Sequence, residues 1–171
     1  HLAIADLERM GKLSSIITQN IDNLHQKAGN DPASVHELHG NMEWMICLDC
    51  AERYPVDLLT KEVQPVGVPE CAKCGGILKP DIIFFGEALP SKALRLATEE
   101  SQNCDLFIII GSSLVVYPAA YMPMYAKRAG AEIIIINLAP TEQDNIADVI
   151  INHSAGETMT KIIAELKRMD I

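Results

Sequence analysis

The sequence predicts an α/β fold: a doubly wound parallel sheet interrupted by a small metal-binding module. Three observations predict it. The runs Leu106–Ile110 (LFIII) and Glu132–Ile136 (EIIII) are strand-sized and continuously apolar, as in strands buried on both faces of a parallel sheet. Helix-patterned segments alternate with them. Two Cys-x-x-Cys pairs, Cys47/Cys50 and Cys71/Cys74, lie in a stretch where the alternation stops.

Each element has its own warrant. Residues from His1 to Glu8 read as the interior of a helix, so the start reads as a truncation. Leu13–Thr18 (LSSIIT) is strand-like and runs into Gln19-Asn20-Ile21-Asp22. From about Asn41 to Pro80 the apolar spacing becomes sparse around the cysteines, marking an inserted module. The segment KPDIIFFGE, Lys79 to Glu87, reads as an edge strand ending in a turn. Ser91 is placed to cap a helix running to Gln102. Leu106–Ile110 runs into Gly111-Ser112-Ser113, and Pro118 opens a helix near Ala119 to Ala129. Glu132–Ile136 ends at Asn137, and Asp148–Ile151 forms a last short strand. Met159, Ile162, Ile163, Leu166 and Met169 make one apolar stripe on the final helix. The resulting division is 1–40 and 81–171 for the two parts of the α/β domain, with 41–80 as the small domain.

Composition bounds the function. The 171 residues are 49% apolar and 22% charged, enough for a packed core. With 14 basic and 23 acidic residues the net charge is −9, the wrong sign for tracking a phosphate backbone. Nothing approaches the unbroken apolar run of about 18 residues that spans a bilayer.

The chemistry-bearing residues cluster after strands, where open α/β sheets bind ligands. The two cysteine pairs, with twenty residues between them, suit one tetrahedral thiolate site for structural zinc. Redox pairs and two disulfides are the alternatives. Four thiolates leave no open position, which argues against a catalytic metal. Cys104, beside an apolar strand, reads as a buried small hydrophobe. Thr18 to His25 packs six polar side chains after a strand, either as a turn or as a ligand-binding loop. His39, in Glu37-Leu38-His39-Gly40, is either structural or a general base. Gly111-Ser112-Ser113 has the form of a short phosphate-facing turn, a common one.

The order TQNID, ELHG, CxxC…CxxC, KPDIIFFGE, GSSLVVYPAA and IIIIN resembles the sirtuin family of NAD-dependent protein deacylases. The resemblance implies a Rossmann-type parallel sheet, incomplete at its N-terminus, with an inserted zinc-ribbon domain. It implies NAD as cofactor, one structural zinc on Cys47, Cys50, Cys71 and Cys74, and an acylated-lysine protein or peptide as partner. His39 takes the place of the catalytic histidine, a general base on a ribose hydroxyl, with Asn20 and Asp22 beside it. Gln19, Asn20 and Asp22 match the nicotinamide-ribose side of the cofactor site. Gly111, Ser112 and Ser113 match its ribose and phosphate side, Asn137 an adenosine-ribose contact, and Ser154 and Ala155 the adenine loop. Ile83, Phe85, Gly86 and Glu87, with Val116 and Tyr117, match the two strands between which the substrate peptide inserts. The products would be deacylated lysine, nicotinamide and 2′-O-acyl-ADP-ribose.

The resemblance begins after the family's Gly-Ala-Gly-x-Ser loop and Asp-Phe-Arg segment. Weak or no NAD binding is therefore expected of these 171 residues alone. The alternative readings are a non-catalytic zinc-binding interaction module and an NAD-dependent mono-ADP-ribosyltransferase. Between Asn41 and Glu87 acids outnumber bases, which disfavours a nucleic-acid-binding ribbon. Reduced-type cysteine usage and the lack of a leader give a cytoplasmic location as the expectation.

Overall fold

The computed structural model of the chain describes residues 1–59 and 67–169. Part of the expected small domain, 60–66, and the last two residues of 81–171 lie outside the described residues.

The chain opens with helix α1 (Leu2–Arg9), then β1 (Ile16–Thr18), the short α2 (Leu24–Lys27) and β2 (Val35–Glu37). Strand β1 is shorter than the predicted Leu13–Thr18, because Leu13 turns away to pack with α1 and the C-terminal helix. β1 and β2 pair in parallel, with Thr18 opposite Glu37.

The middle of the chain forms a separate antiparallel sheet. Strand β3 (Gly40–Cys47) lies between β4 (Arg53–Pro55) and β5 (Leu78–Ile82), and the one-turn helix α3 (Val56–Leu59) follows β4. The register puts Cys47 opposite Leu78 and Gly40 opposite Ile82, with an irregularity between Gly40 and Met45. The strand predicted at the start of KPDIIFFGE is thus β5, an edge strand that leads into a turn.

The remainder alternates as expected. It runs α4 (Ser91–Asn103), β6 (Leu106–Ile110), α5 (Met122–Ala129), β7 (Glu132–Ile136), β8 (Val149–Ile151) and α6 (Ala155–Arg168). The three strands are parallel in the order β6-β7-β8. Alternate side chains of β7 explain why the run is all apolar. Ile133 and Ile135 pack with Ile109, Leu114 and Ala126 on one face. Ile136 packs with Leu7, Met159 and Ile163 on the other, so α5 and α6 sandwich the strand.

Four details depart from the sequence reading. Ser91 is the first helical residue of α4 and Pro90 holds the cap position, so no serine side chain caps it. Pro118 precedes a 3-10 turn, Ala119–Tyr121, and only then α5 begins. Met169 follows the last turn of α6 and is 60% exposed, so the buried stripe ends at Leu166. Among the described residues β1-β2 and β6-β7-β8 are separate ladders rather than one sheet. They meet through side chains: Ile17 and Phe107 pack on the same cluster around Leu38, Ala97 and Met122.

Candidate functional site

A cleft of about 780 Å³ opens where these pieces meet. Its walls come from the loop after β1, from His39 between β2 and β3, from the end of β5 and the segment after it as far as Leu94 of α4, and from the loop after β6. It brings together Gln19, Asn20, Asp22 and His39 with Ile83, Phe85, Gly86, Glu87, Val116 and Tyr117. Gly111, Ser112, Ser113, Asn137, Ser154 and Ala155 do not line it. They lie instead at the carboxyl ends of β6, β7 and β8, and at the start of α6. Backbone bonds align that edge, Gly111 N–H to Ile136 at 2.9 Å and Asn137 N–H to Ile151 at 3.2 Å. The sequence reading passed over Ile21, Phe84, Leu89, Leu94 and Pro118, which also line the cleft. For all but Leu94, which lies in α4, an apolar side chain in a loop was the available signal.

His39 is held from both ends. Its Nδ1 lies 3.0 Å from the carbonyl oxygen of Gln19. A carbonyl only accepts, so Nδ1 carries the proton and Nε2 keeps its lone pair. The His39 carbonyl accepts the Ile83 N–H at 3.0 Å, tying β5 to the same residue. Leu38, fully buried beside it, donates its N–H to Thr18 at 3.0 Å. The imidazole therefore sits on a packed base rather than on a free loop.

The loop after β1 is shaped by its own side chains. Thr18 Oγ1 accepts the Asn20 N–H at 3.1 Å, and Asp22 Oδ1 accepts the Leu24 N–H at 3.0 Å. These are turn-forming bonds, and they leave the Asn20 amide free of any intramolecular role in shaping the turn. Behind the loop, buried Asn41 donates to Glu37 at 2.6 Å and to Asn23 at 3.2 Å.

The four cysteines converge. Their sulfurs all lie within 4.8 Å of one another, with Cys47 to Cys74 at 3.5 Å and Cys50 to Cys71 at 3.6 Å. A disulfide needs about 2.05 Å, so neither separation is a bond. Sulfurs about 2.3 Å from a central zinc stand about 3.8 Å apart in a tetrahedron, which the observed spacings approach. The Tyr54 hydroxyl donates to Cys71 Sγ at 3.2 Å and, with its neighbours, draws the Cys71 thiol down to about 6. All five cysteines are unbridged, and Cys104 lies half-buried, donating to the Ser101 carbonyl at 3.3 Å.

The profile described as the Sir2 family matches residues 1–118. The chain belongs to the Sir2 family.

The sirtuin relatives are close. One is the NAD-dependent protein deacylase 2 of Archaeoglobus fulgidus, 50% identical over 170 residues, covering 99% of this chain and 66% of the relative. Another is the NAD-dependent protein deacetylase 1 of Bradyrhizobium diazoefficiens, 50% identical over 159 residues, covering 93% and 63%. The chain thus spans just under two thirds of the length of these curated relatives. Among solved structures, a Sir2 protein bound to acetylated peptide matches with a TM-score of 0.90 at 42% identity, over 96% of this chain and 68% of that one. Among the described residues no helix is long and apolar enough to cross a membrane.

Proposed function

We propose that the protein is an NAD-dependent protein-lysine deacylase of the sirtuin type, with His39 as its general base. One observation carries the reading. The imidazole Nδ1–H is committed to the Gln19 carbonyl, which leaves Nε2 of the neutral ring as the base in a cleft lined by the amides of Gln19 and Asn20 and the carboxylates of Asp22 and Glu87. When bound, NAD supplies the ribose that accepts the acyl group and the nicotinamide that leaves.

The chain's own residues do the rest. His39 Nε2 takes a proton from a ribose hydroxyl. Asn20 and Gln19 orient polar groups without adding charge, and Asp22 offsets developing positive charge. Gly111, Ser112, Ser113 and Asn137, at the strand ends, would hold the far half of the cofactor, with Ser154 and Ala155 at the adenine. The exposed edges at Ile83–Glu87 and Val116–Tyr117 would admit the peptide as an added strand. Cys47, Cys50, Cys71 and Cys74 would hold one zinc, which has no open position and takes no part in bond making. We take 1–40 with 81–171 as the cofactor lobe and 41–80 as the zinc lobe. Thiolate ligation suits a reducing compartment, and a cytoplasmic location follows from that.

The test is nicotinamide release by the intact protein given NAD, an acetyl-lysine peptide, or both. Release is expected only with both substrates, and His39→Ala should lower it by at least about 100-fold, the lower end for a general base. Turnover unchanged by His39→Ala would overturn the assignment.

A further inference from the structure

One wall of the cleft is a four-residue turn, Phe84–Glu87, closed on itself. The Glu87 N–H donates to the Phe84 carbonyl at 3.0 Å, and the Phe84 N–H donates to Glu87 Oε2 at 2.9 Å. Nothing inside the protein packs on its tip: Phe85 is fully exposed. A short turn of this kind, with Phe84 half-exposed and Phe85 wholly so, needs an external anchor to keep one shape.

Lys79 supplies it. From β5 its ammonium donates to the Ile82 carbonyl at 3.0 Å, to Glu87 Oε1 at 2.9 Å and to Glu87 Oε2 at 2.7 Å. Those three acceptors match the three donors of an ammonium. The same nitrogen lies 4.8 Å from the centre of the Phe84 ring. The Lys79 side chain is only 20% exposed, whereas the other paired lysines range from 38% to 63%. An isolated surface ion pair is worth little, but here one cation gathers strand, turn and ring into a single network. The bond from Lys79, with that from the Phe84 N–H, holds the Glu87 carboxyl below its ordinary range.

We propose that Lys79 is a positioning residue for the peptide: it clamps the Phe84–Glu87 turn in the shape that an acyl-lysine strand pairs with. The inference rests on the deacylase reading and deepens it. Lys79 is not among the residues that line the cleft. It acts through Glu87 on the wall that receives the peptide backbone.

The experiment measures the intact protein with a fluorescent acetyl-lysine peptide and its unmodified counterpart. Lys79→Met keeps the aliphatic stem and removes the cation. Its Kd for the acetylated peptide is expected to rise about tenfold, as loss of a charged hydrogen-bond network does. KM should rise alike while kcat at saturating peptide stays within about twofold, a split that general unfolding does not produce. Hydrogen exchange of the Phe84–Glu87 amides should quicken, and Lys79→Arg should restore most of both effects. Glu87→Gln, which keeps the size and an acceptor for the Phe84 N–H, should quicken the same amide exchange should Lys79→Met fold poorly. Unchanged amide exchange in both variants would overturn the clamp. Quickened exchange with unchanged peptide Kd would overturn its role in substrate binding. Wild-type protein that does not prefer the acetylated peptide would overturn the deacylase reading and the substrate role together.

Discussion

Gly40 separates the candidate base from the metal-binding sheet, and replacing it with alanine should break both. Its φ is +77°, a left-handed conformation. A Cβ there would collide with the carbonyl oxygen of Asp81 and stand 2.9 Å from the Cα of Ile82. Both obstacles are backbone of β5, which pairs Ile82 with Gly40, so no side-chain rotation relieves them. The left-handed conformation costs a residue with a Cβ roughly 1–2 kcal/mol. Forcing an extra carbon into a filled space adds about 1–3 kcal/mol. Together the loss is about 2–5 kcal/mol, a large share of the 5–15 kcal/mol typical of a whole protein. At roughly 2–4 °C per kcal/mol for a chain of this size, the melting temperature should fall by about 10 °C. Gly11 provides the control, with φ +67° and nothing within 4 Å of an added Cβ. Gly11→Ala should show the conformational cost alone. Urea and thermal unfolding of wild type and both variants, run side by side, isolate the collision. Gly40→Ala should lose at least about 1 kcal/mol more than Gly11→Ala. Equal losses would refute the reasoning. Because the His39 carbonyl holds the Ile83 N–H, a displaced β5 should also depress peptide-dependent turnover.

Other consequences are more direct. Protein purified under reducing conditions should carry one zinc per chain by metal analysis, and Cys71→Ser should lose it together with the fold of the β3–β5 sheet; metal-free protein with an intact sheet would contradict the thiolate assignment. Ile133 is wholly buried between β6 and β8, so Ile133→Val should cost about 0.5–1.5 kcal/mol in urea unfolding, and no loss would mean the β7 core is looser than drawn. Burial depresses the affinity of His25 and His36 for a proton below the usual 6.5. The unfolded chain therefore binds more protons as pH falls through 6.5, so stability should be full above that value and decline below it, before the carboxylates titrate. A flat stability profile between pH 7.5 and 5.5 would remove both histidines from the account.

What was legible in the sequence was what short-range pattern encodes. The runs LFIII and EIIII announced parallel strands because Ile133 and Ile135 serve one face and Ile136 the other. The four cysteines announced a cluster because each Cys-x-x-Cys pair can close on one ion. What was missed depends on contacts distant in the chain. Leu13 left its strand because helices α1 and α6 offered it a partner. Pro90 took the cap position at α4, where composition favoured Ser91, because the chain enters the helix one residue earlier. Lys79 lay within a quoted segment, yet its partner is eight residues on, a spacing that belongs neither to a strand nor to a helix. The pairing exists only because the chain folds back after β5.

The metal cluster and the cleft are two ends of one structural piece. β3 and β5 run side by side from Cys47 opposite Leu78 to Gly40 opposite Ile82. β5 crosses this distance in five residues, about 16 Å of extended chain, whereas β3 takes eight with an irregularity between Gly40 and Met45. At the far end stand His39, Gly40 and Ile83, and Lys79 reaches from the same strand to the turn at Glu87. The four cysteines thus stand at the end of this strand pair that lies away from the cleft. They fix one end of a two-strand beam whose other end sets where the peptide wall stands relative to the imidazole. The pairing is regular from Met45 to Cys47 and resumes at Gly40 after an irregularity, so the two strands are tied at both ends of β5. In the proposed reaction the sheet would join the base, placed after β2, to the peptide turn, tied to β5 by Lys79, through the bond from the Ile83 N–H to the His39 carbonyl.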